Sequence, residues 1–250
     1  MAILYVASEA AELKTLANAL TALRKLKWPI DYAYEGIWES RRLLLAANGA
    51  GPKLAAHAVE VAIRAMMLAE LSSSKLEAVV STGWCGAVDP HLREGQIVAA
   101  SQVIDPTTNE TFDCAKLPTA DSFVEGVLVS QDRIAIDAAE KQRLSSGGAI
   151  AVDMESAGVA MRTRKAGLPF YCIKVVSDRA DESFPFDLNQ MRTHEGRIAR
   201  GKIVIQALTH PNQLPLLFRL KRRTEEAARA LGEFLVSCRI TSEPGPSEPA

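Results

Sequence analysis

The period of the apolar positions changes several times along the chain, and each change marks an element. Met1–Ala7 is a short strand-like run, after which Leu13, Leu16, Ala17, Leu20 and Leu23 recur at helical spacing and predict a helix from Glu9 to Leu26. Tyr32 to Ala47 holds two strand-like segments with a hairpin turn near Glu39-Ser40-Arg41. The glycine turn Asn48-Gly49-Ala50-Gly51 then opens an alanine-rich helix that runs through Leu71. A polar connection, Ser72–Lys75, leads to a strand at Ala78–Thr82. Asp105–Ala120, polar and interrupted by Pro106 and Pro118, reads as a long loop. Gly126–Ser130 and Ile150–Val152 are strands, and Ala157, Ala160, Met161 and Ala166 recur at helical spacing until Gly167-Leu168-Pro169 stops them. The β-branched and aromatic run Phe170–Val176 fits a buried strand. A helix from about Gly196 to Leu208 and a final alanine-rich helix follow. Strands alternating with helices predict an α/β fold in one domain over residues 1–238. The polar, proline-rich stretch 239–250 is expected to be a disordered tail.

Composition narrows the function classes without choosing one. With 250 residues, 48% hydrophobic content and a formal net charge of −1, the chain is long enough for one sizeable core and lacks the global basic excess of a nucleic-acid binder. Cys85, Cys114, Cys172 and Cys238 are far apart and form no C-x-x-C pair, which points to reduced thiols in a cytosolic protein. There is no signal-like start, no apolar run of membrane-spanning length and no internal repeat, so a cytoplasmic location is the expectation. No His/Cys cluster suggests a metal.

The candidate chemistry sits in Ala151–Asp181, where two acids adjoin apolar runs and would need partners if buried. Glu155, at the start of a helix, is placed either to accept two sugar hydroxyls or simply to complement the helix dipole. Asp178, with Ser177 at the end of the Phe170–Val176 run, is placed either as a partly desolvated acid that hands a proton to a leaving group or as a cap on the next turn. Gly83 and Gly86, at the end of the Ala78–Thr82 strand, permit close backbone approach to a ligand. The Gly49-Ala50-Gly51 turn is open to two readings, an anion site at a helix start or an ordinary tight turn.

VDMES followed by a helix, LPF, a strand and VVSDRAD resembles the nucleoside phosphorylase and nucleosidase superfamily. So does Val80-Ser81-Thr82-Gly83-Trp84-Cys85-Gly86-Ala87-Val88, followed by Leu92-Arg93-Glu94-Gly95-Gln96-Ile97-Val98. The resemblance runs from near Met1 to about Leu208 and implies one domain with a mixed, largely parallel sheet flanked by helices, usually assembled as a homo-oligomer. It implies cleavage of a purine N-ribosidic bond without metal or organic cofactor. Met154 and Glu155 would bind ribose, Asp178 with Ser177 would address the base, and Gly83, Trp84 and Ile134 would line the substrate site. VASEAAEL resembles the first strand end of the nucleosidase branch, where Glu12 would activate water, with Glu9 as a competitor one helical turn away. The phosphorolytic branch carries an arginine and a serine where this chain has Ser81 and Trp84, so hydrolysis is favoured unless Arg41, Arg42, Arg133 or Arg179 substitutes. As a plain alternative, Trp84 is a core residue. Ile134 stands where methylthioadenosine nucleosidases carry an aromatic, a departure that counts against methylthioadenosine as the substrate.

The segment His210 to Leu220, with its P-x-Q-L-P-x-L-x-R-L pattern, is similar to the hopanoid-associated phosphorylase-like subgroup, whose implied substrate is adenosylhopane and whose product is adenine. In the final helix Leu216, Leu217, Leu220, Ala227, Ala228, Leu231, Phe234 and Leu235 line one face, and Arg219, Lys221, Arg222 and Arg223 cluster near its start. Such a helix packs on the domain or a second subunit, or lies against an anionic bilayer as a peripheral contact. A nucleoside-lipid substrate would need an open apolar channel, with Phe184 and Phe186 among its candidate walls. The competing functions are a phosphorylase, a methylthioadenosine-type nucleosidase and a non-catalytic nucleoside-binding module.

Overall fold

The computed structural model describes residues 1–68, 75–118, 121–184, 188–191, 193, 214–238 and 240. Its elements in chain order are β1 (Ala2–Ala7), α1 (Ala10–Ala19), β2 (Thr21–Lys25), β3 (Tyr32–Trp38), β4 (Arg41–Ala47), α2 (Pro52–Met67), β5 (Leu76–Ala87), β6 (Ile97–Asp105), β7 (Glu110–Asp113), β8 (Val124–Ser130), α3 (Ala138–Ser146), β9 (Ala149–Asp153), α4 (Ser156–Lys165), β10 (Phe170–Asp178), a 3-10 turn (Leu188–Met191) and α5 (Leu214–Ser237).

β1 is buried at every position, as a central strand covered on both faces must be. Its side chains alternate. Leu4 and Val6 join the apolar cluster built with α2 and α4, whereas Ile3 and Tyr5 join the cluster built with α1 and α5. The same alternation runs through β4 and β10, so helices cover both faces of one mixed α/β sheet. β1 pairs in parallel with β4 and β5, and the hairpins β3–β4 and β2–β3 extend that side antiparallel. On the other side the strands close on themselves: β5 pairs β10, β10 pairs β6, β6 pairs β8, β8 pairs β9, and β9 returns to β5. β5, 12 residues long, is the strand both halves share.

Three stretches differ from the pattern-based expectation. The predicted helix over Glu9–Leu26 ends at Ala19, and Thr21–Lys25 is an edge strand exposed at all five positions. Leu20 is buried over Gly36, where an added Cβ would lie 2.8 Å from the Leu20 Cβ, while Leu23 is 41% exposed, so tertiary packing overrides the helical period there. Arg24 and Lys25 keep this short edge polar. Within the predicted loop Asp105–Ala120, Glu110–Asp113 folds back on β6 through a turn in which Asn109 takes φ 57°. Finally, α3 has no counterpart among the expected elements: its buried residues are Glu140 and Lys141, and no apolar period announces it. Its N-cap, Asp137 accepting the Glu140 N–H at 2.7 Å, is the one local signal.

The expected helix near residues 196–208, residues 211–213 of the subgroup pattern, Phe186 and the tail from 241 lie outside the described residues. In α5 Ala227, Ala228, Leu231, Phe234 and Leu235 are buried as expected. Its basic cluster is divided: Arg223 turns inward onto Glu182 and Glu94, and Lys221 and Arg222 face Glu225 and Glu226 one turn on. Among the described residues no helix is long and apolar enough to cross a membrane.

α2 and α4 meet at Gly158, where an added Cβ would collide with the carbonyl oxygen of Pro52. That contact fixes the start of α2 against the start of α4. Gly158→Ala is expected to force these helix ends apart and to lower unfolding stability by about 1–3 kcal/mol, measurable in urea titrations.

Candidate active site

The carboxyl ends of β1, β5, β9 and β10 open into one cavity of about 1020 Å³, which continues between α1 and α5. Glu12, Trp84, Ile134, Met154, Glu155, Ser177 and Asp178 all line it. Gly83 stands just behind that wall, and the nature of the wall depends on it. An added Cβ there would overlap the Glu12 carboxylate, and its φ of +122° is one that side-chain-bearing residues avoid.

Glu12 is 2% exposed and sits in the first turn of α1. Its Oε2 accepts the Glu9 N–H at 2.6 Å and the Ser8 hydroxyl at 2.8 Å, and its Oε1 accepts the Trp84 N–H at 2.8 Å. Burial pushes its pKa above the usual carboxylate value, and the three donors and the Lys174 charge oppose that shift. Glu12 thus both completes a helix cap and faces the cavity. Glu9 is half-buried at the rim. Trp84 reconciles its two readings: its indole N–H donates to the Thr224 carbonyl of α5 at 3.1 Å while its backbone holds Glu12.

Glu155 is 6% exposed and precedes α4. Its Oε1 accepts the Gly51 N–H at 3.0 Å, which gives the glycine turn a definite task. Gly51, at φ 111°, aims its amide at the carboxylate. Burial, then the charges of Asp153 and Glu12, push the Glu155 pKa up to about 8, against the Lys174 charge and the Gly51 N–H.

Asp178 is 8% exposed. Its Oδ1 accepts the Ser177 hydroxyl at 2.7 Å, and its Oδ2 lies 2.5 Å from Nζ of Lys141. Lys141 is wholly buried and also donates to the carbonyls of Arg179 (2.6 Å) and Glu182 (3.2 Å). Gly86 makes room for Asp178, since an added Cβ would come within 3.0 Å of Oδ2. Asp178 is thus buried as expected of a partly desolvated acid, and the structure adds a buried ammonium as its partner.

A second buried lysine lies under the acids. Lys174, fully buried in β10, contacts Asp153 Oδ2 at 2.7 Å and donates to the Thr82 carbonyl at 3.0 Å. Burial alone would lower its pKa, but Asp153 and the other anions nearby raise it instead. Asp153 in turn accepts the Ser156 hydroxyl at 2.6 Å, and Ser81 is buried against that same serine at 3.0 Å. Ser8, Lys141 and Lys174 have no counterpart among the residues the sequence singles out, whereas the Gly51 turn is weighed there as an anion site and its amide does bind a carboxylate. Of those three, only Lys174 leaves a signal in the sequence, as a charged residue inside the apolar run FYCIKVV.

The four arginines weighed as substitutes for a phosphate site are engaged elsewhere. Arg41 donates to the Ile240 carbonyl, and Arg42, Arg133 and Arg179 bond to Glu35, Glu140 and Asp181. Of these, Arg133 alone reaches the cavity wall.

Since the folded-state pKa of Glu155 is raised, the native state binds more protons than the unfolded chain between the ordinary value of 4.5 and about 8. Its stabilising effect is complete below that window and is lost as pH rises through it. Glu155→Gln is expected to gain stability relative to wild type across the window, with the difference levelling off above it, when both are unfolded thermally over a pH series.

Comparison with known proteins gives a consistent family. The chain is 23% identical over 197 residues to the 5'-methylthioadenosine/S-adenosylhomocysteine nucleosidase of Staphylococcus aureus (strain JH9), covering 68% of this chain and 83% of that protein. The structure of the corresponding nucleosidase from S. pneumoniae, solved with a transition-state inhibitor, superposes with a TM-score of 0.68 at 19% identity, covering 95% of this chain and 97% of that one. Futalosine hydrolase of Helicobacter pylori superposes with a TM-score of 0.69 at 17% identity, covering 95% and 96%. The family model described as the phosphorylase superfamily matches residues 2–118 and 113–209. With both halves of the sheet inside that match, the chain belongs to the phosphorylase superfamily.

Proposed function

We propose that this protein hydrolyses the N-ribosidic bond of a purine nucleoside, and that the arrangement of Glu12, Glu155 and Asp178 around one cavity is the observation that carries the reading. As the bond between C1′ and the base breaks, positive charge develops on the ribose and negative charge on the base, so the site needs an anion beside the sugar and a proton donor at the base. Glu155 accepts hydrogen bonds from the ribose hydroxyls. Those donors favour its anion and expel the proton that burial otherwise retains. Met154, buried beside it in the wall, packs against the sugar. Asp178 gives a proton to the departing base. Glu12, its proton affinity raised by burial and its geometry fixed by three donors, takes a proton from the water that adds at C1′.

Water rather than phosphate is the proposed nucleophile. Ser81 is buried against Ser156, Trp84 brings no cation, and the four candidate arginines bond to other groups. The nucleosidase names carried by relatives of this chain support the same choice. We further infer a substrate with a hydrophobic 5′ group, such as adenosylhopane. The cavity, about 1020 Å³, is at the top of the range of roughly 300–1,000 Å³ usual for small-molecule sites. Its extension between α1 and α5 includes Ala11, Leu220 and Ala228 as apolar wall, among polar neighbours such as Lys14, Asn18 and Arg229.

Asp178→Asn is expected to fold and to release purine about 100-fold or more slowly than wild type, the scale of a lost general acid. Near-normal turnover in the folded variant would remove Asp178 from the mechanism. For the substrate, adenosine, methylthioadenosine and a 5′-alkyl adenosine analogue are offered in parallel in phosphate-free buffer. Adenine and free sugar are expected, fastest from the alkyl analogue. Dependence on phosphate would overturn hydrolysis, and a strong preference for methylthioadenosine would overturn the 5′-hydrophobic assignment.

A further inference from the structure

Resting on the nucleosidase reading, we propose that Lys141 is a positioning residue for Asp178, an ammonium built into the scaffold to stabilise the carboxylate that Asp178 becomes when it protonates the leaving base. Three observations support this. First, Lys141 is fully buried, in a helix whose only other buried residue is Glu140. Burying an ammonium is costly unless every proton is matched, and here it is: Asp178 Oδ2 at 2.5 Å, the Arg179 carbonyl at 2.6 Å and the Glu182 carbonyl at 3.2 Å take one each. The Phe184 ring closes over the same group, its centroid 5.7 Å from Nζ. The ammonium is thus held without slack.

Second, the ammonium engages one carboxylate oxygen only. Oδ1 stands beside the Ser177 hydroxyl, and Ser177 and Asp178 both line the cavity. The lysine thereby fixes the orientation of a carboxyl group that lines the cavity. Third, the surrounding loop is itself clamped. Arg223 of α5 donates to both oxygens of Glu182 at 2.8 Å and to the Ser177 carbonyl at 2.9 Å. The strand end that carries Asp178 is held from two directions, and only one of those clamps touches the acid.

The proton balance follows. Asp178, a carboxylate in the ion pair of the free site, takes a proton from solvent as the nucleoside binds. The C1′–N bond breaks with its electron pair on the base, the base nitrogen takes that proton, and the carboxylate that returns faces a positive charge already in place. Water adds at C1′ and its proton goes to Glu12, which passes it to solvent in place of the one Asp178 took. The stabilisation is greatest where the negative charge on Asp178 is greatest, late in proton transfer, so it acts on turnover more than on binding.

Lys141→Met keeps the length of the side chain and removes the charge. Turnover is measured on a purine riboside and on a 4-nitrophenyl riboside, whose leaving group departs without a proton. The ratio of purine to nitrophenyl turnover is expected to fall by about 100-fold, with KM for the purine riboside changed only a few-fold. In an Asp178→Asn background the same substitution is expected to cost the purine reaction nothing further. Equal losses on both substrates would make Lys141 a structural brace and overturn the proposal. If Lys141→Met does not fold, the ratio is read on Lys141→Gln, and failure of both to fold overturns it likewise. A wild-type protein that releases no base from any purine riboside would overturn the nucleosidase reading itself, which sets that failure apart.

Discussion

Lys174 lies wholly buried in the middle of a central strand, and the acids above it depend on its charge. Asp153, Glu12 and Glu155 all interact with it electrostatically, and Asp153 is in direct contact at 2.7 Å. Three carboxyl groups in one poorly solvated region repel one another strongly unless a cation offsets them. Lys174 provides that cation at a position where the strand alternation calls for an apolar side chain, between Cys172 and Val176 on the α2/α4 face. The cost of placing it there is met by Asp153 and the Thr82 carbonyl. The upper layer, Glu12 and Glu155, then retains raised proton affinities without losing its geometry, which is the state a site that moves protons near neutral pH requires.

Missing side chains matter as much as those present. Gly83 makes way for Glu12, Gly86 for Asp178, and Gly158 for the turn that presents the Gly51 amide to Glu155. Each acid therefore owes its position to a glycine, two of them on β5 and the third on α4. Neither the acids nor the glycines are informative alone. The pairing is the constraint, and it is imposed by the closeness of backbones rather than by any local conformational preference.

This explains what could be read from the chain. Glu155 and Asp178 adjoin the ends of apolar runs, so the pattern that places those strands also draws attention to the two acids, whereas Glu12, inside a helix, is singled out by the resemblance of VASEAAEL to the nucleosidase branch. Lys141 was invisible because α3 carries no apolar stripe, its helix being secured by the Asp137 cap and by two buried charged residues instead. Lys174 was in view but unread, since one charge in a seven-residue apolar run looks like noise until its partner on β9 is known. The failure at Thr21–Lys25 is of another kind: Leu13 to Leu23 satisfies helical spacing, yet only a partner strand decides that the chain turns after Ala19.

The closed half of the sheet has a consequence for how the chain comes together. β5 ends at Ala87 and its ring partner β10 begins at Phe170, so the ring cannot close until everything between them has emerged and folded back. A nascent chain that has released β1 to β8 presents the bare edge of β5, lined with Val79, Val80 and Cys85, with no strand on that side. Long-range parallel pairing of this sort is slow, and an unpaired apolar edge is a template for other chains. Synthesis of the last third of the protein is therefore its period of greatest exposure to misassembly, and Phe170–Asp178, the strand that completes the ring, also delivers the acid that completes the site.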